Sequence, residues 1–168
     1  MSTPYKPHVK VTTPNPIHVA ELAKAFEHMR NKYIKKGTTY NVTDKPMNGY
    51  KAMQAQYDTT NHITVSSEGC DTAIYGTVPN IAFRFWHDCI HCELRRDFSL
   101  AGEKAVIEYQ IQELFEYGIS NGAMNIFMAD TVGQVRYYYK HNEFVKDQAR
   151  FITACLTQGI TKAISIKQ

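Results

Sequence analysis

The sequence predicts a predominantly helical α+β fold, a single domain of about five helices with a small β-hairpin. Three observations carry this reading. The chain has 168 residues, which is the length of one ordinary domain. Beyond Pro79-Asn80, apolar residues recur at helical spacing almost to the C-terminus. Only the stretch from Ile63 to Tyr75 pairs β-prone residues across a short polar turn.

The elements follow in chain order. Residues 1–16 hold four of the six prolines and read as a proline-rich N-terminal arm, with His8–Thr12 able to form a short edge strand. Asn15-Pro16 opens the first helix, with asparagine as N-cap and proline at the first helical position. Val19, Leu22, Ala23, Phe26, Met29 and Tyr33 form its apolar face, and Lys35-Lys36-Gly37 closes it. Residues 38–60 are Thr/Asn/Asp-rich, with a short helix expected around Tyr50–Tyr57. Ile63 and Val65, then Ala73-Ile74-Tyr75, are read as the two strands of a hairpin turned by Ser66–Gly69. Four helices are expected after it, over 81–96, 100–117, 121–141 and 147–164. Ser99 and Ser120 serve as caps, and Gly118 and Gly122 punctuate. Ile107, Ile111, Leu114 and Phe115 mark a clear helical stripe.

Composition excludes several classes. Apolar residues make up 43% and charged residues 21%, so the chain is neither disordered nor a coiled coil. No apolar run reaches the length of a membrane span, and the first residues lack a signal-peptide core. The expectation is a soluble, cytoplasmic protein with no membrane partner. Four cysteines in a chain this long are not a disulfide framework. Cys89 and Cys92 have C-x-x-C spacing but lie within a helical segment, and read as small buried apolar residues.

The net charge of +3 is unevenly placed. Residues 1–36 carry seven Lys/Arg against two acids, 37–139 carry seven against twelve, and 140–168 carry five against two. Should the first and last helices lie side by side, they make a basic face able to attract nucleic acid. Twenty aromatic residues exceed what a core of this size needs, so some are expected at a self-association surface or at an interface with another protein. Tyr137-Tyr138-Tyr139 points three ways around its helix, and at least one ring is expected in the core.

One segment carries chemistry. Phe83-Arg84-Phe85-Trp86-His87-Asp88-Cys89-Ile90-His91 contains H-D-x-x-H. Residues four apart on a helix lie roughly 40° apart around its axis, so His87 and His91 share a face with Phe83, Ile90 and Leu94. Two inward imidazoles one turn apart are what a helix offers a divalent transition metal such as zinc. Asp88 stands where the zincin motif has glutamate and is one methylene shorter. An Arg84–Asp88 surface pair is the simpler account of it. A third ligand is needed, and Glu103, one turn before Ile107 on the next helix, is the best placed. Glu108 flanks the same stripe. Asp97, His62 and His141 are weaker candidates. His87, His91 and Glu103 would then hold the ion, and Asp88 or Glu108 would orient or deprotonate water in a small hydrolase. The alternative is a buried hydrogen-bond network that fixes helix packing in a non-catalytic binding protein.

The run Phe83-Arg84-x-Trp86-His87-Asp88-x-x-His91 followed by Asp97-Phe98-Ser99-x-x-Gly102-Glu103 resembles a signature in small uncharacterised proteins of tailed bacteriophages. The resemblance covers this segment alone. It implies a viral accessory protein acting in the host cytoplasm, and it implies no particular activity or cofactor.

Overall fold

The structure is a computed structural model and describes residues 14–45 and 49–167, apart from the side chain of Thr72. The elements run α1 (Pro16–Lys35), β1 (Thr39–Thr43), α2 (Tyr50–Thr60), β2 (His62–Ser66), α3 (Thr77–Leu94), α4 (Leu100–Tyr117), α5 (Asn121–Met128), a π-helical turn (Ala129–Gly133), α6 (Gln134–His141), α7 (Gln148–Gln158) and the single turn α8 (Ile160–Ala163). The mostly helical α+β class is as the sequence predicts. The edge strand expected at His8–Thr12 lies outside the described residues.

Local chemistry accounts for most boundaries. The Asn15 side chain accepts the Ile17 N–H at 3.0 Å, with Pro16 opening α1. Ser99 and Ser120 accept from Gly102 and Ala123 at the starts of α4 and α5. Helix α3 begins four residues before its expected start. Pro79 falls within its first turn, where a missing N–H costs nothing. The helix expected over 147–164 breaks at Gly159, whose φ of 85° no helix continues through. The helix expected over 121–141 is continuous but widens into the π turn at Ala129–Gly133.

The hairpin is not formed. β2 pairs with β1, in parallel, with Tyr40 opposite Ile63 and Val42 opposite Val65. Parallel strands need a crossover, and α2 supplies it. Ile63 and Val65 are fully buried, and Tyr40 lies against Phe85 with ring centroids 4.6 Å apart. Ala73–Tyr75 does not extend the sheet. Gly69, at φ 68°, turns the chain into a 3-10 turn over Cys70–Thr72. Tyr75 then enters the core, edge-on to Phe26 at 5.0 Å.

The buried apolar side chains form one cluster, centred on the aromatic faces of α1, α3 and α5. Phe26, Trp86 and Phe127 meet there, with ring centroids 6.1–6.3 Å apart. Polar bridges lock the helices around it. Trp86 Nε1 donates to Glu113 Oε2 at 2.7 Å, Lys32 pairs with the same carboxylate, and Tyr33 donates to Glu93 at 3.0 Å. The terminal helices do not build the anticipated basic face as a packed pair. α1 packs chiefly on α3 and α5, whereas α7 packs on α5, the π turn and α8.

Candidate metal centre

Helices α3 and α4 are joined by only five residues and run antiparallel, so the last turns of one meet the first turns of the other. The corner is tightly made. Arg95 caps α3 in the left-handed conformation at φ 50°, and Asp97 accepts from the backbone and hydroxyl of Ser99 at 3.2 and 2.5 Å. A Cβ on Gly102 would sit 1.9 Å from the Asp97 carbonyl oxygen. Only glycine lets α4 start this close to the corner, and the next residue is Glu103.

The three expected ligands converge. His87 Nε2 lies 3.0 Å from His91 Nε2 and 3.2 Å from Glu103 Oε2, and His91 Nε2 lies 3.5 Å from Glu103 Oε1. Donor atoms bound to zinc at about 2.0–2.1 Å and tetrahedral angles lie about 3.3 Å apart. The triangle is therefore of the right size for one ion. Among the described residues, this is the only group of three such side chains with ligand atoms so close together.

The outer ring nitrogens decide what the inner ones carry. His91 Nδ1 is 2.7 Å from the Arg96 carbonyl oxygen, which can only accept, so Nδ1 bears the hydrogen. In the neutral ring, Nε2 is then a bare lone pair pointing into the cluster. His87 Nδ1 faces Gln110 Oε1 at 3.1 Å and donates to it, which turns a second lone pair inward. With both rings neutral, two lone pairs and a carboxylate thus meet with no hydrogen between them. That arrangement is repulsive until a cation sits among them, either a metal ion or the proton that makes His87 an imidazolium donating to Glu103. It also has the outer-shell pattern of metal-bound histidine, in which the distal N–H is held by a carbonyl or carboxamide.

The electrostatics describe the same cluster with a proton in place of a metal ion. Burial alone would raise the Glu103 carboxyl, but hydrogen bonds and charge from His87 and His91 outweigh it and hold it at about 2. Burial would lower His87, yet Glu103 beside it, with lesser help from Asp88 and Gln110, carries it above its ordinary value. His91 is fully buried, and His87 and Glu103 are 17% and 16% exposed. Those two line a cavity of about 610 Å³, into which the cluster opens. Phe98 closes the other side, edge-on to His91 at 4.9 Å.

The remaining candidates lie elsewhere. Glu108 is on the outer face of α4, 66% exposed and 3.9 Å from Lys104, because it falls on the solvent side of the stripe that carries Glu103 and Ile107. Asp88 is half-buried, does not line the cavity and has no hydrogen-bond partner among the described residues; burial pushes its carboxyl up to about 6. The expected Arg84–Asp88 pair is replaced by a 2.8 Å hydrogen bond from Arg84 to the Ser66 carbonyl. His62 bridges the strands through Thr39 and Asn41 at 2.8 and 2.7 Å, and His141 bonds the Ile164 carbonyl at 2.8 Å. Asp97 is spent on the α4 cap. The four cysteines are buried and unpaired, and burial pushes the Cys92 thiol up to about 12, so it carries no thiolate for a metal.

Sequence reasoning missed Gln110 and the Arg96 carbonyl. Gln110 was within reach of it, since it shares the buried face of α4 with Glu103, Val106 and Leu114. A backbone acceptor leaves no sequence signal. No protein-family model matches the chain, and neither the curated proteins nor the solved structures contain a match to it.

Proposed function

We propose that the protein is a small metal-dependent hydrolase in which His87, His91 and Glu103 hold one divalent transition ion, zinc being the type the donors suit. The observation that carries this is the convergence of His87 Nε2, His91 Nε2 and Glu103, with both outer ring nitrogens directed at acceptors, the Arg96 carbonyl and Gln110. Three protein ligands with a cavity on the open side is the plan of a catalytic rather than a structural site. A bound ion there polarises a carbonyl or phosphoryl oxygen and lowers the pKa of water. The cavity wall then needs no strong separate base, which suits a site that neither Asp88 nor Glu108 reaches. The bacteriophage-like segment contains all three ligands and Gly102, and supports an accessory role in a host cytoplasm.

One observation favours a second reading. Gln110 Nε2 is buried without an acceptor among the described residues. If the carboxamide is turned over, His87 takes its other tautomer and directs a hydrogen inward, and the cluster closes as a metal-free network. Elemental analysis of untagged protein separates the two. The hydrolase reading expects a stoichiometric divalent ion, a rise in melting temperature with added zinc that Glu103→Gln removes, and ester, phosphoester or amide hydrolysis lost in His87→Ala. No bound metal and no thermal shift with zinc, manganese, iron or nickel overturns it.

A further inference from the structure

The cavity has a second polar end, built by the π turn. Asp130 sits in that turn, 6% exposed, and lines the cavity. Its Oδ1 accepts from Gln148 Nε2 at 2.7 Å and from Gln134 Nε2, and its Oδ2 accepts from the Tyr75 hydroxyl at 3.0 Å. All three donors are neutral. No ion pair to Asp130 forms among the described residues, so the carboxylate is buried without a countercharge. Burial raises its pKa, and the three hydrogen bonds hold that rise back. A buried carboxylate without a cation is costly, and it faces open space.

Its neighbours present acceptors to the same space. Thr131 turns its hydroxyl hydrogen inward to the Phe127 carbonyl at 2.7 Å. Asn80 directs its amide nitrogen to Cys70 Sγ at 3.2 Å, and Gln134 directs its own to Asp130. Thr131 Oγ1, Asn80 Oδ1 and Gln134 Oε1 are left as acceptors with no donor among the described residues. All three residues line the cavity. At the rim, Phe144 is 72% exposed and lies stacked on Tyr138, with centroids 4.6 Å apart, so an apolar surface leads in. The other titratable groups of the wall are Arg84, His87, Glu103 and Glu68.

We infer that the Asp130 end of the cavity binds a protonated amine or guanidinium group carried on an apolar stem. The charge suits the uncompensated carboxylate, and the several N–H donors suit the surrounding oxygens. The aromatic rim covers the stem. This binding stands on the cavity alone. That the hydrolysed substrate carries such a group rests on the hydrolase reading, with the scissile bond toward His87 and Glu103.

The test uses full-length, metal-stripped protein, so its result is independent of the histidine cluster. Side-chain amide resonances of Gln134 and Gln148 are followed during titration with n-butylammonium and with n-butylguanidinium, against n-butanol and magnesium as controls. Saturable shifts with either cation and none with the controls are expected. Asp130→Asn should weaken binding at least tenfold. Gln134→Leu, which leaves the carboxylate in place, should weaken it about threefold and carries the test if Asp130→Asn does not fold. No saturable shift with either organic cation, an equal response to n-butanol or magnesium, or unchanged affinity in the variants overturns the proposal.

Discussion

Glu113 and Glu103 are both acids on α4, both turned toward α3, and they end in opposite states. Glu113 is answered completely: Trp86 donates its indole N–H and Lys32 supplies the charge. Glu103 meets two imidazoles whose outer nitrogens already hold their hydrogens. The first cluster is finished by the chain itself and ties α1, α3 and α4 together. The second is complete only with a cation among its donors, a metal ion or a proton on His87. Burial and carboxylate chemistry are shared, so neither marks a functional acid. What distinguishes the two is whether the local donors balance the local acceptors.

The contrast can be broken at several points. The largest effect is expected for Glu113→Ala, which strands the buried Trp86 N–H and removes the partner of Lys32. It should lower unfolding free energy by about 3 kcal/mol in urea titrations while leaving zinc affinity unchanged. A parallel fall in affinity would mean the two acids are not separate devices. Next, Glu103→Gln should weaken zinc at least 100-fold, about 2.7 kcal/mol by calorimetry. Gln110→Leu removes only the support behind His87 and should weaken zinc about tenfold. If a metal-free network is the resting state, that variant instead leaves metal behaviour unchanged and destabilises the fold, because His87 Nδ1 loses the Nε2 donor of the turned carboxamide.

A smaller effect concerns pH in metal-stripped protein. Glu103 is depressed from 4.5 to about 2, so its stabilisation is present above its unfolded value and drains as the pH falls toward 2. The loss should be about 1 kcal/mol between pH 4.5 and 3.5. His87 is raised from 6.5, so its contribution is full below that value and is lost as pH rises through the folded pKa. Urea midpoints should therefore peak between these limits, and added zinc should shift the peak upward because metal competes with protons. The smallest effect is Glu108→Gln, which should stay within about 0.5 kcal/mol, as expected of an exposed pair with Lys104.

Much of this was legible beforehand because helices announce themselves locally. The apolar stripes of α1 and α4, the Asn15 and Ser99 caps and the four-residue spacing of His87 and His91 need only neighbours in sequence. Glu103 was found through one short connection. The sheet was misread because its partner strand lies across a helix: Thr39–Thr43 has a weak pattern of its own and gains its place only by pairing with β2. Asp130 passed unnoticed within an apolar run from Met124 to Val132, although an acid there is itself a signal. Of its donors, Gln134 lies one helical turn on, but the other two, Tyr75 and Gln148, are 55 and 18 residues away, separations no periodicity reports.

The acceptor that sets the His91 ring is a main-chain oxygen at position 96. A change of side chain at that position leaves the oxygen in place, so ordinary point substitution there does not retune the imidazole. Only lengthening or shortening the corner between the two helices would do so, and that would carry Glu103 away in the same stroke. The protonation pattern of one ring and the placement of its acidic neighbour are thereby inherited together, as a property of loop length.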